Sequence, residues 1–116
     1  MENKAAIKLI DKILTNLDKT GINTDTLIND IKELRAYALE EQIPLVVKVL
    51  RLTYEHIEEN ETFLIPMPVD EDDEIEVEVT DEPVASLKYL LSLLKNLKNK
   101  INIADLKAYR DLLNSY

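Results

Sequence analysis

Cysteine is absent from the 116 residues, and glycine and histidine occur once each. Without cysteine there is no disulfide framework, no thiol nucleophile and no thiolate metal site. A single glycine excludes the phosphate-cradling loops GxGxxG and GxxxxGKS/T, each of which needs several. It also leaves few cheap left-handed turns, so helices joined by short polar connections are expected. Apolar runs are only a few residues long, far short of the ~20 that a membrane helix needs. The opening residues, Met1-Glu2-Asn3-Lys4, lead into an amphipathic pattern and not into the apolar core of a signal peptide. A cytoplasmic protein with no membrane attachment is the expectation.

Basic residues are missing from one stretch in particular. Residues 70–82 (DEDDEIEVEVTDE) contain nine acidic side chains and no Lys or Arg. The whole chain holds 23 acidic and 14 basic residues, a net charge of −9. Setting the stretch aside leaves 14 of each, so the excess charge is a local feature on a balanced background. Overall acidity disfavours direct binding to nucleic acid or to an anionic membrane.

What is present suits one helical domain spanning residues 1–116. A chain of this length buries roughly 65% of its unfolded surface, and the 46% apolar content supplies one core. Ile7, Ile10, Leu14 and Leu17 recur at helical spacing from about Asn3 to Lys19, with Gly21 placed to end that helix. A second helix opens at Asn23-Thr24-Asp25 and continues through Leu27, Ile31, Leu34 and Ala38 to about Glu41. Pro44 starts a third. Leu45, Val46, Val47, Val49, Leu50, Leu52, Tyr54 and Ile57 make it apolar nearly all round, as expected of a central helix ending near Asn60.

From Thr62 the period changes to two. Phe63, Ile65, Met67 and Val69 alternate, as do Ile75, Val77 and Val79 with Glu74, Glu76 and Glu78, so a β-hairpin over 62–80 is expected. Pro66 and Pro68 would blank one edge of it. Pro83 then begins a fourth helix with a dense stripe of Leu87, Leu90, Leu91, Leu94, Leu97 and Ile101. A fifth follows Asn102 with Leu106, Tyr109, Leu112 and Leu113 on one side. The fold expected is thus mainly α (α+β): about five helices, with an acidic hairpin inserted over 62–82 between the third and fourth.

Chemistry-bearing constellations are few. Acidic side chains at 70, 72, 74, 76, 78 and 81 imitate the ligand spacing of an EF-hand. Ile75 stands where the sharp turn demands glycine, however, and Asp81 where a bidentate glutamate belongs, so no metal site is assigned. His56, flanked by Glu55, Glu58 and Glu59, is the only available imidazole. It reads as an ordinary histidine at a helix C-terminal end, where imidazolium is favoured, and a small enzyme or metal site around Glu55, His56 and Glu59 is the alternative. Ser86, Ser92 and Ser115 lie in no nucleophile elbow. Tyr54, Tyr89 and Tyr109 are expected to close the rim of the core with their hydroxyls in water. No catalytic residue and no cofactor is expected.

The acidic hairpin remains the one candidate surface. Nine like charges in thirteen residues repel one another, and electrostatic complementarity steers association with a basic partner. The function expected is a non-catalytic protein–protein interaction or regulatory module. Asp70, Glu71, Asp72, Asp73, Glu74, Glu76 and Glu78 would steer a basic protein partner, and Phe63, Ile65 and Met67 would add apolar contact. Alternatives are a structural assembly subunit whose acidity guards a solvated edge, and a phosphate-mimicking inhibitor or immunity-type protein. The acidic strand could also lie on the basic surface of residues 83–116, where Lys88, Lys95, Lys98, Lys100, Lys107 and Arg110 face only Asp105 and Asp111. The leucine stripe of the fourth helix is wider than one seam requires, which suggests a homodimer.

Overall fold

Asparagine stands at the start of three helices, and in two of them its side chain caps the first turn. In the computed structural model, which describes residues 1–68 and 83–116, the side-chain oxygen of Asn3 accepts the Ala5 and Ala6 N–H groups at 2.8 and 3.3 Å. It thereby caps α1 (Lys4–Thr20). Gly21 ends that helix at φ 67° and ψ −151°, a conformation open in practice only to glycine, while its N–H still reaches Leu17 O at 3.1 Å. The second helix, α2 (Thr24–Glu40), closes in a Schellman arrangement. Ile43 N–H reaches back to Ala38 O and Gln42 N–H to Leu39 O, both at 3.1 Å, with Gln42 at φ 55° where glycine is usual. Pro44 then opens α3 (Pro44–Asn60), which ends at a left-handed Glu61 (φ 59°).

α4 (Pro83–Leu93) stops well before Ile101. The chain turns through residues 94–99, and Asn99 starts α5 (Lys100–Ser115) by accepting Ile101 N–H at 2.8 Å and Asn102 N–H at 3.4 Å. Ile101, expected in the leucine stripe, is instead 70% exposed on the first turn of α5.

Among the described residues the five helices close a ring in the order α1, α2, α3, α5, α4, and each packs on its two neighbours. No helix is central, α3 included. Its buried side is Val46, Val49, Leu50, Thr53, His56 and Ile57, and its other apolar residues are half-buried at the margins. The core fills the ring, with Ile10, Ile31, Leu50, Leu90, Leu91 and Leu94 all fully buried. Leu87 and Leu93 of α4 are buried as well. Leu87, Leu90, Leu91 and Leu94 of the leucine stripe are thus buried within one chain, and Leu97 is half-buried.

Among the described residues the expected β-hairpin is not present. The described residues hold five helices and no strand, and 62–68, the expected first strand, is irregular. Phe63 and Ile65 nevertheless point into the core, at 1% and 3% exposure. The alternation was real, but it reports an extended segment laid on helices and not a ladder. The rest of the expected hairpin, 69–80, lies outside the described residues.

Candidate functional site

The single histidine is the first group to place. His56 comes from the last turns of α3 and is buried, at 6% exposure. Its Nε2 accepts the Leu64 N–H at 3.0 Å. Phe63 and Tyr116 meet its ring edgewise, with centroids 5.6 and 4.6 Å away. Burial lowers the imidazole pKa from its ordinary value, and the charge of Glu59 opposes this only in part. His56 is thus a neutral acceptor that fastens 62–68 to α3, not the exposed imidazolium expected at a helix end. Glu55 and Glu59 are exposed. Among the described residues no three acidic or histidine side chains gather so as to hold a metal ion.

A second buried polar chain links α5, α4 and the same irregular segment. Tyr109 O–H donates to Ser86 O at 2.9 Å and lies 3.0 Å from Ser86 Oγ. Ser86 Oγ in turn donates to Ile65 O at 2.6 Å. The Ser86 proton is therefore committed to a carbonyl, an arrangement that holds a segment and does not make a nucleophile. Burial raises the Tyr109 pKa, and the tyrosine lies wholly inside the core instead of at its rim. Tyr89 donates to Asp105; burial first, then that hydrogen bond and the carboxylate charge, push its pKa up to about 12.

Of the expected partner-binding residues, Asp70, Glu71, Asp72, Asp73, Glu74, Glu76 and Glu78 lie outside the described residues. Phe63 and Ile65 are taken up by the core, while Met67 is half-buried. Leu64, pointing the other way, is among the exposed large apolar residues. The basic residues of the C-terminal third mostly have partners already. Lys88 pairs with Asp18 and Lys95 with Asp11 of α1, Lys98 with Glu2 at 3.2 Å, and Arg110 with Asp111 at 3.1 Å.

Sequence reasoning missed two concavities. Between α1 and α2 a cavity of about 190 Å³ is lined by Asn16, Thr20, Asn23, Thr26 and Asp30, and Asp30 is held by Lys12 at 3.4 Å. Between α2 and α3 a groove of about 420 Å³ is lined by Arg35, Leu39, Ile43, Val47, Lys48 and Arg51, with Gln42 and Pro44 at the turn. The signal for the groove was present in the spacing. Arg35 and Leu39 are four apart on one helix, and Lys48 and Arg51 three apart on the next.

No helix among the described residues is long and apolar enough to cross a membrane. Comparison of the chain with protein-family models, with curated proteins and with solved structures gives no match.

Proposed function

We propose that the protein is a non-catalytic protein–protein interaction module, in which a helical body carries the acidic stretch of residues 70–82 for a basic partner surface. The observation that supports this most is the pairing of cations in the C-terminal third, the basic surface on which the stretch could otherwise lie. Lys88, Lys95 and Lys98 are matched with Asp18, Asp11 and Glu2, so they are poor intramolecular counterparts for nine further negative charges. Asp70, Glu71, Asp72, Asp73, Glu74, Glu76 and Glu78 then act by steering, which raises encounter rates and selects partners by sign. Met67 and the exposed Leu64 remain to add apolar contact next to the stretch. A non-catalytic role accords with His56 Nε2 and the Ser86 proton both being engaged by backbone groups.

The test is capture from cell extract at low and high salt, with two baits. One is the wild type; in the other Asp70, Glu71, Asp72, Asp73, Glu74, Glu76 and Glu78 are made Asn or Gln. The proposal expects a partner held by the wild type, released by salt and lost by the neutralised bait, because exposed charges are screened within ~8–10 Å at physiological ionic strength. The same set of proteins on both baits would refute it.

A further inference from the structure

The groove between α2 and α3 is opposite in sign to the acidic stretch. Among the described residues three cations line it and no acidic side chain does. Among the described residues Arg35, Lys48 and Arg51 form no ion pair, as is also true of Lys4, Lys8, Lys19, Lys100 and Lys107, but these three line one groove. Gathering unpaired like charges in a chain of net charge −9 costs repulsion that a scattered arrangement would avoid.

Arg35 is also held in place. Its Nε donates to Val47 O at 3.3 Å, across from α2 to α3, which leaves the terminal guanidinium nitrogens for another acceptor. Between the cations lies an apolar floor. Ile43 and Val47 pack on the core from below, and Leu39 stands 52% exposed above them. Cations alone would suit any anion. Cations around an aliphatic floor suit a ligand that is acidic and apolar at once. A volume of about 420 Å³ lies within the ~300–1,000 Å³ of ordinary ligand pockets, while three cations are too few to hold a long polyanion against the protein's own net charge.

We propose that this groove docks an acidic amphipathic peptide segment of a partner protein. Its carboxylates pair with Arg35, Lys48 and Arg51, and its apolar side chains rest on Leu39, Ile43 and Val47. The module then offers two surfaces of opposite sign, and the second does not depend on the first.

The probe is a fluorescein-labelled peptide of sequence Glu-Val-Glu-Ile-Glu-Ile-Glu-Ser, which combines both chemistries and does not occur in this chain, followed by anisotropy on the full-length chain. Two control peptides carry Gln for Glu, or Ser for Ile and Val. Lys48→Glu, Arg51→Glu and Leu39→Ser lie on the surface, and circular dichroism checks that each stays helical. The expected result is saturable binding that weakens about tenfold when salt rises from about 50 to about 300 mM. Binding should be lost in the charge-reversed proteins and weakened at least about fivefold by Leu39→Ser or by the Ser peptide. Lys107→Glu, away from the groove, should bind as the wild type does. No binding, binding indifferent to Lys48→Glu and Arg51→Glu, or equal binding of the Ser peptide overturns the proposal. So does binding that appears only after the acids of residues 70–78 are neutralised, which would assign the groove to the chain's own stretch.

Discussion

Acidification tests the role given to His56. The folded protein keeps this imidazole neutral, with Nε2 accepting the Leu64 N–H, and burial holds its pKa below the ordinary 6.5. The unfolded chain has no such restraint, so below about pH 6.5 it binds a proton that the folded chain refuses. The stability due to neutral His56 is therefore complete above that pH and is lost as the pH falls toward the folded pKa. One proton sets the ceiling at about 1.4 kcal/mol per pH unit. Across about pH 7.5 to about pH 5.5 the loss cannot exceed about 1.4 kcal/mol in total, since only the lower unit lies under the unfolded pKa. Surface carboxylates add their own slope, and His56→Gln removes it by comparison: the Gln carbonyl can still accept from Leu64 but does not titrate. Urea unfolding of both proteins at the two pH values should show the wild type losing more stability than the variant. As the sole histidine, His56 also gives one ring Hε1 resonance, whose titration midpoint should fall below 6.5. A midpoint at or above 6.5, or parallel pH profiles for the two proteins, would refute the account of a buried neutral acceptor.

Three further outcomes follow from the packing and the backbone. Tyr109→Phe should cost about 1–2 kcal/mol and Ser86→Ala about 1–3 kcal/mol, the latter by leaving the Ile65 carbonyl unmet. A double-mutant cycle by denaturant unfolding should show the two to be coupled. Gln42→Gly should raise stability by up to about 1 kcal/mol by relieving a left-handed residue, whereas Gly21→Ala should lower it by about 1–3 kcal/mol although nothing lies within 4 Å of the added methyl. Thermal unfolding reads both signs. Leu90→Ala should cost about 2–5 kcal/mol and Ile101→Ala less than about 0.5 kcal/mol, and comparable losses in unfolding assays would contradict the early end of α4.

The helices that were easiest to read are those whose ends carry their own chemistry. Pro44 and Asn60 bound α3 as expected, because proline at the first turn and a charged, polar last turn mark both limits. The second boundary of α4 was hidden by continuity. Leu87, Leu90, Leu91, Leu94 and Leu97 keep helical spacing straight through a turn, and the capping role of Asn99 in Asn-Lys-Lys-rich sequence was the weaker signal that decided the matter. Of the stripe expected on α1, Ile10 and Leu17 are buried, whereas Ile7 and Leu14 are half-buried at its margin. Ala6, Leu9, Ile10, Ile13 and Leu17 form the buried face. Of the groups brought together at the candidate surfaces, the basic groove was legible only in part, because spacing aligns residues within each helix but does not set the two helices side by side. Arg35 and Arg51 belong to different helices, and only the Schellman turn at Gln42 folds one back beside the other.

Residues 62–68 show most clearly why period two is weaker than it looks. Alternation requires only that an extended chain bury one side, and a sheet is one of several surfaces that can receive it. What distinguishes a strand is the fate of the backbone groups, and here the sequence already removes some. Pro66 and Pro68 have no N–H to offer a ladder. Two of the remaining groups find partners on helices: Leu64 N–H goes to His56 Nε2 and Ile65 C=O takes the Ser86 hydroxyl. Two polar side chains, singled out in the sequence for chemistry, thus do the work that a neighbouring strand would otherwise do. The same accounting bears on why both are buried: each meets a backbone group in the segment that Phe63 and Ile65 anchor in the core. A histidine and a serine facing an apolar alternating segment are, on this reasoning, a signature of a strap across helices, and replacing either should loosen 62–68 before it loosens the ring.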